Sequence, residues 1–319
     1  MAVGAKIVVS GTLLYVVFSK IRVSEAIRRL GEANHSFTLI AAGLALIAPV
    51  LLAVRWWILA RPLITWSDAF TFTWIGLFYG IILPGGVSGD VVKGGLLAWK
   101  NIHTRRASLP ASILIDRVVG FGVMLSFFCL SSLLVINEGA SPALAHFARP
   151  SAIVGAVGIC GLLLGFTPAF RHLALIVVGR IPWQRLRSQI QQFAESTFAY
   201  SKERSRLLLA ALLSAASQIL GIVMYSTLLN ALSIHFELIP TFALYSIFAV
   251  LGMAPITIAG IGARDWFAVC FFSAYSLSAE AGVAFAWLCL AMSVLQASIG
   301  GLLQLVMALA RPCASVTNQ

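Results

Sequence analysis

Long apolar runs follow one another along almost the whole chain, separated by short polar stretches. A helix needs roughly 20 apolar residues to cross the hydrocarbon core of a bilayer. By that criterion the sequence predicts membrane segments at 3–19, 36–60, 68–84, 108–136, 151–168, 207–232, 239–258, 264–278 and 282–310. Because the third, seventh and eighth runs are short or interrupted, we expect seven to nine segments. The fold class predicted is all-α, a polytopic integral membrane helical bundle.

Composition indicates that most of the surface faces lipid. Apolar residues make up 60% of the 319 residues and charged residues 10%, whereas soluble domains carry about 25% charged residues. The formal net charge of +11 comes from basic residues in short clusters between apolar runs, as in cytoplasmic loops beside anionic lipid. We therefore expect membrane lipids as partners and no nucleic acid. Cysteine and histidine form no metal-ligand pattern, and the sequence predicts neither a metal nor a cofactor.

The basic residues also predict an orientation. They cluster in three stretches, 19–34, 93–106 and 180–206, and are almost absent from 137–150 and 233–238. Basic loops stay on the cytoplasmic side. We therefore expect a bacterial inner-membrane protein with its C-terminus in the cytoplasm and its N-terminus outside. Arg55 and Arg61 fall on the wrong side, and together with Trp56 and Trp57 we interpret them as an interfacial anchor.

The chain is predicted to be a single membrane domain with an internal repeat. The two halves would be 36–136 and 207–310. A segment at 172–206, whose second part mixes aromatic and charged residues, would join them in the cytoplasmic interface. Full crossings by every segment imply parallel halves, whereas a re-entrant first hairpin would make the repeat inverted.

Two places break the apolar pattern with proline, glycine and charge. The first combines Pro84, Gly85, Gly86, Gly89, Asp90, Lys93, Gly94 and Gly95, and the second combines Pro255, Gly260, Gly262, Arg264 and Asp265. Proline lacks a backbone donor and glycine tolerates non-helical angles, so both segments should interrupt a helix. Lipid tolerates broken backbone only where it is buried in protein or lines a cavity. A matched pair of such segments points to a transporter site; the alternative is two ordinary loops.

Asp116 and Arg117 form a charged pair inside the apolar run 108–136. Counted from the start of the run, Arg117 lies roughly 12 Å into the helix. A bare charge at that depth costs at least about 3 kcal/mol, so it needs a partner or a wet cavity. Adjacent helix residues do not face each other, and the two side chains should therefore have different partners. The candidates for Arg117 are Asp90, Asp265 or a ligand phosphate; a purely structural ion pair is the alternative.

These motifs, in this order, resemble the flippase-like membrane domain of lysylphosphatidylglycerol synthases, which also occurs in stand-alone bacterial and archaeal proteins. The resemblance rests on 83–90, 116–120 and 255–265 and covers nearly the whole chain. It implies a protein that moves or handles polar lipids. Full synthases carry an additional soluble aminoacyl-transferase domain, and we expect that activity to be absent from residues 1–319. Family members often have Glu at Asp116 and Asp265 and Arg at Lys93, which here lacks the bidentate fork of arginine.

The sequence favours a lipid transporter or flippase over an enzyme. The broken segments would form a midplane cavity in which Arg117, Arg264 and Lys93 hold a phosphate headgroup. Backbone amides at the breaks would add donors. The three carboxylates would neutralise these cations in the empty cavity or carry a coupling proton: Asp90, Asp116 and Asp265.

Two other function classes remain. One is an integral-membrane transferase acting on a lipid-linked substrate, with Asp90 as general base. The other is a non-catalytic membrane subunit that holds or regulates a lipid-modifying enzyme such as a lipid synthase.

Overall fold

The computed structural model describes residues 11–12, 15–17, 19, 21–83, 88–100, 108–137, 142–165, 167, 200, 203–253 and 260–309. None of these residues lies in a β-strand. The helices are α1 (Val23–Gly31), α2 (His35–Ala60), α3 (Trp66–Ile82), α4 (Ser88–Lys100), α5 (Ser108–Asn137), α6 (Pro142–Gly165), α7 (Arg204–Ala231), α8 (Leu238–Met253), α9 (Ala263–Ala274) and α10 (Ala279–Leu309). Four of them, α2, α5, α7 and α10, are long and apolar enough to cross a membrane. The all-helical membrane fold is confirmed to that extent.

Local capping explains where α2 and α3 begin. The Asn34 side chain accepts hydrogen bonds from the amides of Ser36 and Phe37 at the start of α2. Thr65 and Asp68 cap each other's backbone amides at the start of α3. Such caps satisfy amides that have no partner within the helix. Both helices therefore begin within a few residues of the apolar runs.

The first predicted break separates α3 from α4. Helix α3 ends at Ile82 and α4 begins at Ser88, while Pro84 and Gly86 lie outside the described residues. The two helices pack closely, because a Cβ at Gly89 would overlap the carbonyl oxygen of Gly76. At 1.5 Å per residue α3 is roughly 25 Å long and α4 roughly 20 Å, shorter than a bilayer core of about 30 Å. We call α3 and α4 the first broken hairpin.

The second predicted break separates α8 from α9. Helix α8 ends at Met253 and α9 begins at Ala263, and Pro255 lies outside the described residues. Gly260 and Gly262 have φ angles of 79° and 86°, a region that glycine adopts without a Cβ penalty. The Asp265 carboxylate accepts the Gly262 amide at 2.9 Å and caps α9. We call α8 and α9 the second broken hairpin.

Helix α10 packs against both broken hairpins. It contacts α3 and α9 extensively, and a Cβ at Gly300 would overlap the carbonyl oxygen of Trp74 in α3. Helix α7 packs mainly along α2. The largest apolar core lies around the second hairpin and is rich in aromatic rings, among them Tyr225, Phe248, Phe267, Phe271, Phe272 and Phe285. Most of the predicted joining segment 172–206 lies outside the described residues, namely 172–199, 201 and 202. Its described end lies beside the end of α2, because Tyr200 donates to the Leu59 carbonyl and Arg206 to the Arg61 carbonyl. The basic stretch 19–34 precedes the start of the same helix. Since α2 is long enough to cross the membrane, the prediction that 19–34 and 180–206 both lie in the cytoplasm is wrong.

Candidate functional site

A cavity of about 290 Å³ lies where the two broken hairpins meet α2, α5 and α10. The first hairpin contributes Gly76 and Gly80 from α3 and the start of α4, and the second contributes Gly252 and Arg264. Six of the predicted site residues line this cavity: Gly89, Asp90, Lys93, Asp116, Arg117 and Arg264. The structure thus brings charged residues of both broken hairpins and of α5 to one place.

The described residues that line the cavity carry more positive than negative charge. The cations are Arg55, Lys93, Arg117 and Arg264, and the carboxylates are Asp90 and Asp116. The lining therefore has an excess of two positive charges. Four of these side chains are buried, including Lys93, which is 8% exposed, so water screens them weakly.

Arg55 and Asp116 form a buried bidentate ion pair between α2 and α5. The Nε–Oδ1 and Nη2–Oδ2 distances are 2.7 and 2.8 Å, and Nη1 donates to Ser214 Oγ on α7 at 2.9 Å. Arg55 is only 7% exposed, so its assignment to an interfacial anchor was wrong. Gly120 leaves room for the guanidinium, because a Cβ there would lie 2.6 Å from Nη1. The pair ties three helices together at the cavity wall.

Arg117 has a different partner, as expected for neighbouring helix positions. Its Nε forms an ion pair with Asp90, which connects α5 to the first turn of α4. Lys93, one turn further along α4, places its Nζ 4.9 Å from the centroid of the Trp56 ring. A cation held over an indole face gains electrostatic stabilisation. Both basic side chains near α4 therefore have a defined contact within the protein.

Arg264 is placed differently from the other three cations. Its Nε is buried and has no hydrogen-bond partner among the described residues, and no ion pair found within that part of the chain includes it. Its side chain lies against two glycines: a Cβ at Gly260 would lie 2.8 Å from Nε, and a Cβ at Gly252 would overlap Nη2. Arg264 thus lines the cavity with at least one donor, Nε, that has no acceptor among the described residues.

Three predicted site residues do not line the cavity. Gly260 and Gly262 form the turn before α9, and Asp265 directs its carboxylate to the Gly262 amide. They shape the start of the helix that carries Arg264. Three others lie outside the described residues: Pro84, Gly86 and Pro255.

Sequence reasoning missed several lining residues. Thr73 is buried and its Oγ1 has no hydrogen-bond partner among the described residues, and Ser293 and Gln296 line the cavity from α10. The available signal was polar residues three apart in an apolar run, which places Ser293 and Gln296 on one helix face. Thr73 has no polar residue three or four positions away in its apolar run and offered no such spacing.

A comparison with protein families gives one match. The family described as the lysylphosphatidylglycerol synthase TM region matches residues 3–301. The chain matches no curated protein and no solved structure. The match spans both broken hairpins, α5 and most of α10, and therefore every described residue of the cavity lining. The chain accordingly belongs to the lysylphosphatidylglycerol synthase transmembrane-region family, which gives this membrane protein a lipid-related role.

Proposed function

We propose that this protein binds the phosphate headgroup of a polar lipid in the cavity and moves that lipid across the membrane. The observation that supports this most directly is a pair of orphaned polar atoms in a cationic cavity. Arg264 Nε and Thr73 Oγ1 both belong to lining residues and lack hydrogen-bond partners among the described residues. Buried polar atoms are rarely left unpaired, because each costs about 1–3 kcal/mol. Phosphate oxygens are acceptors of the kind that an arginine N–H and a threonine O–H can donate to.

Arg264 is the primary anchor in this proposal. Arg117 and Arg55 already pair with Asp90 and Asp116, whereas Arg264 has no such partner within the described part of the chain. A guanidinium offers planar, bidentate donation to phosphate. The first turns of α4 and α9 both contribute lining residues, and a helix N-terminus carries partial positive charge. These features together favour an anionic group over a neutral one.

The rest of the proposal follows from the sequence. We propose that the protein lies in the bacterial inner membrane with its C-terminus in the cytoplasm. Its partners are membrane lipids and, in some settings, a lipid-modifying enzyme. In this proposal the headgroup travels inside the protein while its acyl chains stay in lipid.

The transferase alternative has less support at the cavity. It assigns Asp90 the role of a free general base, but that carboxylate is in an ion pair with Arg117. To accept a proton from a substrate, Asp90 would have to leave that ion pair. Transport makes no such demand on Asp90.

The test begins with lipids that stay bound to the purified protein. We would extract lipid from wild type, Arg264→Gln and Arg206→Gln in mild detergent and compare it with bulk membrane by mass spectrometry. Arg206 is the matched control, because it lies outside the cavity and pairs with Glu203 at a half-exposed site. We expect one phosphate-bearing lipid to be enriched in wild type and in the control, and lost in Arg264→Gln.

The enriched lipid is then used in a transport assay. A fluorescent analogue in proteoliposomes should reach a membrane-impermeant quencher faster with wild type than with Arg264→Gln. Bound lipid that matches the bulk membrane in all three proteins would contradict the proposal. Co-purification of a lipid-modifying enzyme at fixed ratio, without transport, would favour the subunit alternative.

A further inference from the structure

We infer that the cavity selects a headgroup with two negative charges, such as a phosphomonoester, and disfavours zwitterionic and cationic headgroups. This inference rests on the proposed function and specifies its substrate class. The selectivity arises from the charge balance of the lining and not from the shape of any one contact.

The excess charge sets the preferred ligand charge. The four lining cations face only two lining carboxylates among the described residues. Uncompensated charge in a buried site is unfavourable, because the surroundings solvate it poorly. A phosphomonoester brings close to two negative charges and balances the lining. A phosphodiester brings one, and a zwitterionic headgroup brings none in total.

The lining offers no free carboxylate to an ammonium group within the described residues. Asp116 is held bidentately by Arg55, and Asp90 is paired with Arg117. The nearby Asp265 turns to the Gly262 amide and does not line the cavity. A cationic headgroup would therefore have to displace an arginine from its own partner. Lysylphosphatidylglycerol, whose lysyl ester adds two ammonium groups to one phosphate, is such a headgroup.

The cavity volume restricts recognition to the headgroup itself. About 290 Å³ lies at the lower end of the range of small-molecule pockets, roughly 300–1,000 Å³. That space holds a phosphate and its ester oxygens with water, but not the acyl chains. The acyl chains then contribute similarly for different lipids, and the charge of the headgroup decides their ranking.

The experiment ranks four lipids that share the same acyl chains. Phosphatidic acid, phosphatidylglycerol, phosphatidylethanolamine and lysylphosphatidylglycerol compete with one labelled phosphatidic acid for the purified full chain. The measurement is made at about pH 8, where a phosphomonoester with a second pKa of about 6 is almost doubly ionised. We expect phosphatidic acid to bind about tenfold more tightly than phosphatidylglycerol, as one charge-assisted contact allows. The other two lipids should bind more weakly still.

A charge-changing variant tests the charge balance separately. Lys93→Gln lowers the formal excess from two to one, and its affinity ratio of phosphatidic acid to phosphatidylglycerol should fall about tenfold. The control is Arg206→Gln, which lies outside the cavity and should keep the wild-type ratio. If Lys93→Gln does not fold, the ranking by the wild-type protein still decides the matter.

The outcomes separate this inference from the proposed function. Equal affinity for the two phosphate lipids, or tightest binding of lysylphosphatidylglycerol, would overturn the charge selectivity and leave lipid binding intact. Failure of all four lipids to bind would overturn the proposed function, and this inference with it.

Discussion

Gln296 on α10 donates a hydrogen bond from Nε2 to the carbonyl oxygen of Ala45 on α2, at 2.6 Å. Ala45 lies four residues before Pro49 within the continuous helix α2. A proline has no amide hydrogen, so it cannot donate a hydrogen bond to the carbonyl oxygen four residues earlier. Gln296 satisfies that carbonyl from a neighbouring helix and also lines the cavity. One side chain therefore both lines the cavity and satisfies the backbone carbonyl that Pro49 leaves without a donor in α2.

Replacing Gln296 with leucine should destabilise the protein. The substitution leaves the buried Ala45 carbonyl unpaired, and we expect the free energy of unfolding to fall by about 1 kcal/mol. The control is Gln304→Leu on the same helix, because the Oε1 of Gln304 is buried without a hydrogen-bond partner among the described residues. Unfolding in denaturing detergent measures both variants. Equal losses of unfolding free energy in the two variants would show that the hydrogen bond to Ala45 does not stabilise the protein.

Adding Pro49→Ala to Gln296→Leu tests the cause of that loss. Alanine restores an amide four residues after Ala45, so the carbonyl regains a partner within α2. The double variant should be more stable than the sum of the two single effects predicts. Simple additivity would contradict this account of the hydrogen bond.

Breaking the Arg55–Asp116 pair should cost much more than breaking an exposed one. Asp116→Asn leaves a buried guanidinium without its counter-charge, and we expect a loss of about 3–5 kcal/mol. Arg206→Gln removes one partner of a pair whose side chains are 43% and 42% exposed, and should cost at most about 1 kcal/mol. The yield of monodisperse protein and its thermal midpoint report both changes. A mild effect of Asp116→Asn would mean that Arg55 finds another acceptor.

Two glycines of α4 should respond oppositely to alanine. A Cβ at Gly89 would overlap the Gly76 carbonyl oxygen, whereas nothing lies within 4 Å of a Cβ at Gly95. Gly89→Ala should separate α3 from α4 and lower both stability and lipid retention. Gly95→Ala should be neutral or stabilising by up to about 1 kcal/mol, since alanine favours helix. Similar behaviour of the two variants would refute the close packing of the first broken hairpin.

Tyr200 gives a prediction for alkaline pH. Its hydroxyl donates to the Leu59 carbonyl at 3.0 Å, and burial, with a smaller effect of the Glu203 charge, raises the pKa of its phenol above the ordinary 10.0. A raised pKa in the folded protein means that the neutral form stabilises it. This contribution is complete below pH of about 10 and disappears as the pH rises through the folded pKa.

Tyr200→Phe should therefore cost about 1 kcal/mol at neutral pH and flatten the loss of stability above pH of about 10. Unfolding titrations of both proteins at neutral and alkaline pH measure the two effects. An identical alkaline slope in wild type and variant would assign that slope to other groups.

Local sequence predicted the long helices well because their signal is contained within each segment. The apolar runs 36–60 and 108–136 correspond to α2 and α5, which differ from them by a residue at one end. Each membrane helix satisfies its own backbone, so its extent depends little on distant residues. The Gly/Pro patterns likewise predicted the breaks, and three of the charged residues beside them line the cavity: Asp90, Lys93 and Arg264.

Local sequence patterns could not predict which side chains pair with residues far away in the chain. Arg55 stands next to two tryptophans near the end of an apolar run, which is the local pattern of an interfacial anchor. Its partners, Asp116 and Ser214, lie 61 and 159 residues further along the chain. Arg61, by contrast, is exposed, with its guanidinium over the Trp57 ring at 4.4 Å, and the anchor stays a prediction for it. Similarly, Pro49 shows from sequence alone that the Ala45 carbonyl lacks its helical donor, but it does not indicate that Gln296 supplies one.

The ion pair between Arg117 and Asp90 links ligand binding to the mechanics of the first broken hairpin. It joins the first turn of α4 to α5. A phosphate that is anchored on Arg264 and also contacts Arg117 would compete with Asp90 and so weaken the link between α4 and α5. By thermodynamic linkage, any change that weakens the ion pair between Arg117 and Asp90 also strengthens phosphate binding. Phosphate binding in the cavity and the attachment of α4 to α5 would then be coupled, so that a change in one shifts the other.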